Sequence, residues 1–126
     1  MTTLNEPRVL SATSLVGTEV TNSEGEDLGQ IEDLMMDLAE GDIAYAVVKF
    51  GGWLGMGEKL FAIPWEGFRL SLHDEKALLQ VPKEQLENAE GFDKNDWPNM
   101  ADRAWAERIH KHYGYEPYWQ EHRTQP

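Results

Sequence analysis

The side chains that could do metal chemistry are spaced in a way that predicts no metal site. His110 and His112 stand two residues apart on a predicted helix and therefore point to different sides. Two helix residues that bind one metal ion are expected to lie three or four positions apart. Glu107 lies three positions before His110, and a surface pair on the helix explains that spacing. We therefore expect neither a metal site nor a cofactor.

The carboxylates and hydroxyls are no better placed for catalysis. The acidic runs at 24–27 and 37–42 lack the ligand pattern of a calcium loop, with its central glycine and its glutamate at the twelfth position. Glu32 and Asp33 are adjacent, so on a strand they would point to opposite sides and could not act as a hydrolytic pair. No serine stands in a Gly-x-Ser-x-Gly motif, and the chain has no cysteine. The sequence predicts that the protein is not an enzyme.

The elements that would position any site are a series of short strands followed by a helix. Glycine and other turn-forming residues separate the short apolar runs, which is typical of a small barrel or sandwich. The run Leu28–Leu38 alternates imperfectly, and a bulge that changes faces would explain this. Both faces of Ile43–Phe50 are apolar, which predicts the most buried strand. The other strands are predicted at 19–21, 59–63, 68–72 and 77–81.

Five pieces of the chain, in this order and spacing, resemble the PRC-barrel domain family over residues 8–85. They are Gly17–Val20, Gly25–Leu34, Ile43–Val48, Gly51–Gly57 and Ala62–Trp65. The resemblance implies a mainly β fold, a small antiparallel PRC-type β-barrel, followed here by a C-terminal α-helix. It also implies a stand-alone bacterial binding module rather than a catalyst, in a group for which a stress-response role is often suggested.

Beyond the barrel, residues 86–98 are predicted to be a linker, and residues 99–126 a helix with an aromatic tail. The helix is expected from Met100 to Tyr113, with Asn99 as N-cap and Gly114 as its stop. Because the linker is polar and rich in turn residues, the barrel is expected to fold without the residues after Glu90.

The predicted helix carries an apolar stripe that something must cover. Two alternatives stay open: the helix lies back on its own barrel, or a second copy covers it through one isologous contact. The second alternative predicts a homodimer in which aromatic side chains act as anchors. Trp53, on the glycine-rich loop, would add a contact patch. The predicted partner-binding residues are Trp53, Trp105, Ile109, Tyr113, Tyr115, Tyr118 and Trp119.

Charge and hydropathy narrow the classes of partner. The net charge is −12, and all of it falls in residues 1–100, because the last 26 residues balance four basic against four acidic side chains. Such a field repels nucleic acid and anionic lipid surfaces. The chain also has no apolar run of about 18 residues and no apolar segment of a secretory signal near Met1. We expect no nucleic-acid binding, no direct membrane insertion and a cytoplasmic location.

These observations favour a non-catalytic protein-interaction or regulatory module of the bacterial cytoplasm, a homodimer with a protein partner that the sequence does not identify. One alternative is a small-ligand-binding or enzymatic barrel with a pocket near Tyr45, Trp53 and Trp65. Another is an accessory factor of a membrane electron-transfer complex, which the family resemblance also allows.

Overall fold

The computed structural model describes residues 9–51, 58–71 and 73–119. Within them the chain is mainly β, as predicted: one six-stranded sheet curls into a half-barrel, and a C-terminal helix packs against it. The strands are β1 (Glu19–Thr21), β2 (Asp27–Asp37), β3 (Asp42–Gly51), β4 (Glu58–Pro64), β5 (Phe68–Ser71) and β6 (Lys76–Leu79). The helices are α1 (Lys83–Glu87) and α2 (Arg103–Tyr113), and short 3₁₀ turns lie at Ala12–Leu15 and Trp65–Gly67.

The strands are ordered β4-β3-β2-β1-β6-β5 across the sheet. Four of the neighbouring pairs are antiparallel, but β1 and β6 run parallel, with Glu19 opposite Lys76 and Thr21 opposite Leu78. The predicted antiparallel barrel therefore contains one parallel pair. This pair joins the meander β1–β4 to the hairpin β5–β6 and so completes the sheet.

Strands β2 and β3 form the longest pair, and their details follow from local sequence. The register of β2 shifts between Ile31 and Asp33 and again between Met35 and Met36, which confirms the predicted bulge. A Cβ at Gly29 would lie 2.1 Å from the Lys49 carbonyl oxygen, and Gly29 has φ +108°, so only glycine fits this crossing. The middle of β3 is buried, as expected from its two apolar faces.

The segment predicted as a linker packs against the core. Leu86 of α1 is fully buried, and the backbone N–H groups of Leu60 and Phe92 each donate to the other residue's carbonyl at 2.9 Å. This bridge adds a short extension to the edge of β4. Residues 86–98 are mostly polar, and this composition indicates a linker. Two apolar residues within the segment, Leu86 and Phe92, nevertheless pack on the core.

Side chains also join the two helices directly. Gln85 Nε2 donates to the His112 carbonyl at 2.8 Å, and His112 Nε2 donates to the Gln85 carbonyl at 3.0 Å. On the surface, the Arg108 guanidinium donates two hydrogen bonds to the Glu90 carboxylate. Buried residues from the strands, from α1 and from α2 form one hydrophobic cluster. The C-terminal helix is thus part of the core rather than an appendage.

Candidate functional site

Helix α2 is set by its caps and by the face it buries. It begins later than predicted, at Arg103, because the side chain of Asp102 accepts the Ala104 N–H at 3.0 Å and so acts as the N-cap. Asn99 instead closes the preceding turn by accepting the Ala101 N–H. Gly114 ends the helix in the left-handed conformation, which confirms the predicted stop. The buried face consists of Trp105, Ala106, Ile109, His110 and Tyr113.

An aromatic cluster lies where α2 crosses the sheet. The ring of Tyr45, on β3, is 5.4 Å from the rings of Trp105 and His110 and 6.3 Å from the ring of Tyr118, centre to centre. All three pairs are edge-to-face, the arrangement that the charge distribution of aromatic rings favours. Burial raises the pKa of Tyr45, so its hydroxyl stays neutral. The cluster fixes the helix and the segment after it against β3.

His110 is the most buried titratable group of this cluster, with an exposed fraction of 1%. Its Nδ1 lies 2.8 Å from the Ala106 carbonyl, one helical turn earlier, and therefore carries the proton and donates. Burial lowers the pKa of His110, although the bond to Ala106 opposes this. The imidazole is consequently neutral, and its Nε2 is a hydrogen-bond acceptor. Nε2 has no hydrogen-bond partner among the described residues.

The aromatic segment after α2 folds back over its own chain. Tyr115 lies on Gly67, where an added Cβ would come within 3.2 Å of the tyrosine ring. The Tyr118 hydroxyl donates to the carboxylate of Asp37, at the end of β2. Trp119 packs edge-on against His110, and the guanidinium of Arg103 lies 4.8 Å from the Trp119 ring centre. These contacts tie the C-terminal segment to the β2–β3 hairpin.

A groove opens beside this contact, with a volume of about 410 Å³. Its walls come from the start of β3, from the turn after β4, from α2 and from the C-terminal segment. Trp65 and Tyr118 contribute aromatic surface, and Asp42 and Glu66 contribute carboxylates. The remaining lining residues are Gly41, Ile43, Ala44, Pro64 and His110.

Negative charge gathers around the Tyr118 side of the groove. Burial, the hydrogen bond to Asp37, and the charges of Asp37 and Glu40 together raise the pKa of Tyr118. The same hydrogen bond, with help from the backbone N–H groups of Ala39 and Glu40, lowers the pKa of Asp37. The positive charge of Arg103 also lowers the pKa of Asp37.

The structure separates the predicted partner-binding residues into three groups. Trp105, Ile109 and Tyr113 are buried against the chain's own sheet, so α2 lies back on the barrel and leaves no exposed stripe. Tyr115, Tyr118 and Trp119 are half-buried and pack around that helix. Trp53 lies outside the described residues. Of the alternative pocket residues, Trp65 lines the groove, whereas Tyr45 is buried beneath the helix.

The sequence analysis missed two exposed apolar side chains, one at the end of β2 and one in the turn that follows. Leu38 is 87% exposed and Met36 is 57% exposed, both at the end of the β2–β3 hairpin. Residues 36–42 form the hairpin end, which includes three acidic residues, Asp37, Glu40 and Asp42. A signal was present in the sequence: Leu38 adjoins the predicted turn, where a large apolar residue has no strand face to occupy.

The described ranges also bear on metal sites and membrane spans. No cluster of three or more histidine or acidic side chains close enough to hold a metal ion occurs among those residues. No helix in the same part of the chain is both long and apolar enough to cross a bilayer.

Comparison with protein-family models identifies the β part of the chain. The model of the PRC-barrel domain matches residues 7–86, which covers all six strands and most of α1 and is well over half of the sequence. Comparison with individual curated proteins found no significant match. The matched range agrees closely with the predicted range 8–85, and the curled sheet agrees with the fold that the resemblance implied. The chain therefore belongs to the PRC-barrel domain family.

Proposed function

We propose that this PRC-barrel protein is a non-catalytic protein-interaction module that uses the hairpin end to bind a basic segment of a partner protein. The observation that carries the proposal is the exposure of Met36 and Leu38 among acidic side chains. Two large, exposed apolar side chains at one hairpin end are unusual on a surface that makes no contact. The acidic residues around them favour a positively charged partner.

The position of the hairpin end supports this role. Its base is held by Tyr118, whose hydroxyl donates to Asp37, and by the turn in which Asp37 accepts the Ala39 and Glu40 N–H groups. The turn is therefore ordered before a partner arrives, which lowers the entropy cost of binding. Only two large apolar side chains are exposed at the hairpin end. The contact area they can bury is therefore small, and a transient complex is expected.

The net charge of −12 argues against two hairpin ends facing each other. The α2 stripe is covered within the chain, so it gives no support to a homodimer built on that helix. A dimer built on the hairpin end would be broken by substitutions there, so light scattering of hairpin variants distinguishes it from binding of a basic partner.

The experiment is a binding comparison between the natural chain and the variants Met36→Ser and Leu38→Ser, each immobilised and exposed to a cell extract. Val16→Ser is the matched control, because Val16 is 47% exposed but lies away from the hairpin. We expect a basic protein that the natural chain and the control retain and both hairpin variants lose. Its retention should fall as salt rises from about 50 to about 300 mM, because charges at the rim of the contact are screened.

Two outcomes would overturn the proposal. One is capture of the same proteins by the natural chain and both hairpin variants. The other is a dimer of the natural chain that both hairpin variants convert to a monomer by light scattering, which would make a second copy the occupant.

The proposal has two finer parts: a place in the bacterial cytoplasm, and a stress-related role that rests on the family resemblance alone. Fractionation of cells that express the natural protein tests the first. Comparison of growth under stress with and without the protein tests the second.

A further inference from the structure

The groove beside the hairpin end combines the features of a site for a planar cation. Trp65 and Tyr118 offer aromatic faces, and Asp42 and Glu66 offer carboxylates within one cavity of about 410 Å³. A volume of this size is at the lower end of the range for ligand sites and accommodates a single side chain. Aromatic faces and carboxylates attract the same kind of group, because both carry negative charge toward it.

A buried histidine that lines the groove, His110, supplies a second, independent observation. Its side chain is nine-tenths or more buried, and its Nδ1–H is taken up by the Ala106 carbonyl. The other ring nitrogen, Nε2, is an acceptor with no partner among the described residues. Buried acceptors normally have a donor. A hydrogen-bond donor that enters the groove would supply one, whereas a ligand without a donor would not.

Elsewhere in the chain, a guanidinium already lies close to both an aromatic ring and a carboxylate, as it would in the groove. Arg103 lies over the ring of Trp119 and close enough to Asp37 to lower the pKa of that carboxyl. Guanidinium is planar, stacks on aromatic faces and donates several hydrogen bonds in a fixed fork. Lysine offers only a compact point charge, which makes less use of two aromatic walls.

We propose that the groove lined by Trp65, Glu66 and Tyr118 binds an arginine side chain of the basic partner. This inference rests on the proposed function, because the partner's remaining contacts are made at the adjacent hairpin end. The guanidinium lies between the aromatic walls, its charge faces Asp42 and Glu66, and one N–H is directed to His110 Nε2. Arginine recognition at the groove would provide specificity, while Met36 and Leu38 provide apolar contact.

The test uses N-acetyl-arginine amide as the probe and N-acetyl-citrulline amide as its neutral counterpart of nearly the same shape. Binding is followed by NMR on the full chain, through the Trp65 indole N–H, the Tyr118 ring and the ¹⁵N resonance of His110 Nε2. We expect the arginine probe to shift all three signals, with a dissociation constant on the order of 1 mM for a single residue. The citrulline probe should leave them unchanged.

Variants distinguish a specific site from a general attraction to negative charge. Glu66→Gln should weaken the arginine probe about tenfold, the effect of losing roughly one charged contact. Glu87→Gln, an exposed position on α1, removes the same charge elsewhere and should leave affinity unchanged. Trp65→Leu should abolish the shifts of Tyr118 while the far-ultraviolet spectrum stays that of the natural chain.

Equal shifts with citrulline, equal weakening by both glutamate variants, or arginine-induced shifts confined to other residues would each overturn the inference. The two proposals fail separately. If the probe binds in the groove but no partner depends on Met36 and Leu38, the docking role of the hairpin end is wrong. If a partner depends on the hairpin end but the probe never perturbs the groove, the arginine site is wrong.

Discussion

The face of α2 and the hairpin end show opposite outcomes for apolar residues in the same chain. Trp105, Ile109 and Tyr113 form the stripe that the sequence marks as needing cover, and the chain's own sheet covers them. Met36 and Leu38 belong to the run Leu28–Leu38 that the sequence predicts as a strand, yet both side chains are exposed. The difference teaches that helical periodicity shows that a face is covered but does not identify what covers it. Whether an apolar side chain near a turn is exposed depends on where the strand ends, because a residue beyond that point has no sheet face to pack on.

The strongest test of this comparison is removal of the covering helix. A chain that ends after Glu90 keeps all six strands and α1 but loses the Phe92 bridge and every α2 contact with Tyr45. We expect no cooperative unfolding transition by circular dichroism in urea, because the core cluster is then open on one side. A cooperative transition near that of the full chain would show that the barrel is self-sufficient, as its composition predicted.

A single substitution tests the same face more gently. Trp105→Ala should lower the free energy of unfolding by about 3–5 kcal/mol, because it leaves a cavity beside Tyr45. Ala104→Glu, on the exposed side of the same helix, should change that free energy by less than about 0.5 kcal/mol. Urea denaturation measures both. Similar effects of the two substitutions would mean that the helix is not packed by the stripe.

The pH dependence of stability tests the buried imidazole. Burial lowers the folded-state pKa of His110 from its usual value of 6.5, so protonation favours unfolding. Its contribution to stability is complete above about pH 6.5 and is lost as the pH falls toward the lower folded-state pKa. His110→Asn, which can still donate to the Ala106 carbonyl, should lose less stability than the natural chain between pH 7.5 and 5. Parallel pH profiles would contradict a neutral, buried His110.

A smaller effect is expected where the C-terminal segment meets the hairpin. Tyr118→Phe should cost about 1 kcal/mol of unfolding free energy, because it removes one hydrogen bond to a carboxylate at a partly exposed position. The hydrogen bond lowers the pKa of Asp37 below 3.8, so its contribution is present above that pH and is lost as the pH falls through the lower folded-state value. The difference between natural chain and variant should therefore shrink in acid. A difference that stays constant with pH would contradict the pairing.

The smallest effect should occur at the hairpin end itself. Met36→Ser and Leu38→Ser should each change the free energy of unfolding by less than about 0.5 kcal/mol, because neither side chain belongs to the core. Thermal or urea unfolding of both variants provides the measurement. A loss of 2 kcal/mol or more at Leu38, the scale of removing a packed core side chain, would place it in a packed environment and remove the basis of the docking surface.

The sequence predicted the sheet well because its signals are local. The two apolar faces of β3, the bulge in β2 and the stop at Gly114 each depend on a few neighbouring residues, and all three are confirmed. The parallel pairing of Glu19 with Lys76 and the bridge between Leu60 and Phe92 connect distant parts of the chain. No local pattern encodes such partners. The sequence placed Trp65 in an alternative pocket but did not predict the groove as a whole, since its residues come from four separate segments.

The parallel contact between β1 and β6 also determines when the protein can fold as it is made. Strands β1 to β4 form a meander of near neighbours, but β1 has no second partner until Lys76–Leu79 has been synthesised, and the core stays open until α2 follows. Contacts between distant residues slow folding, and unpaired strand edges in a partly folded chain favour aggregation. A chain that lacks β6 would therefore leave one edge of β1 unpaired, and such an intermediate is prone to aggregate.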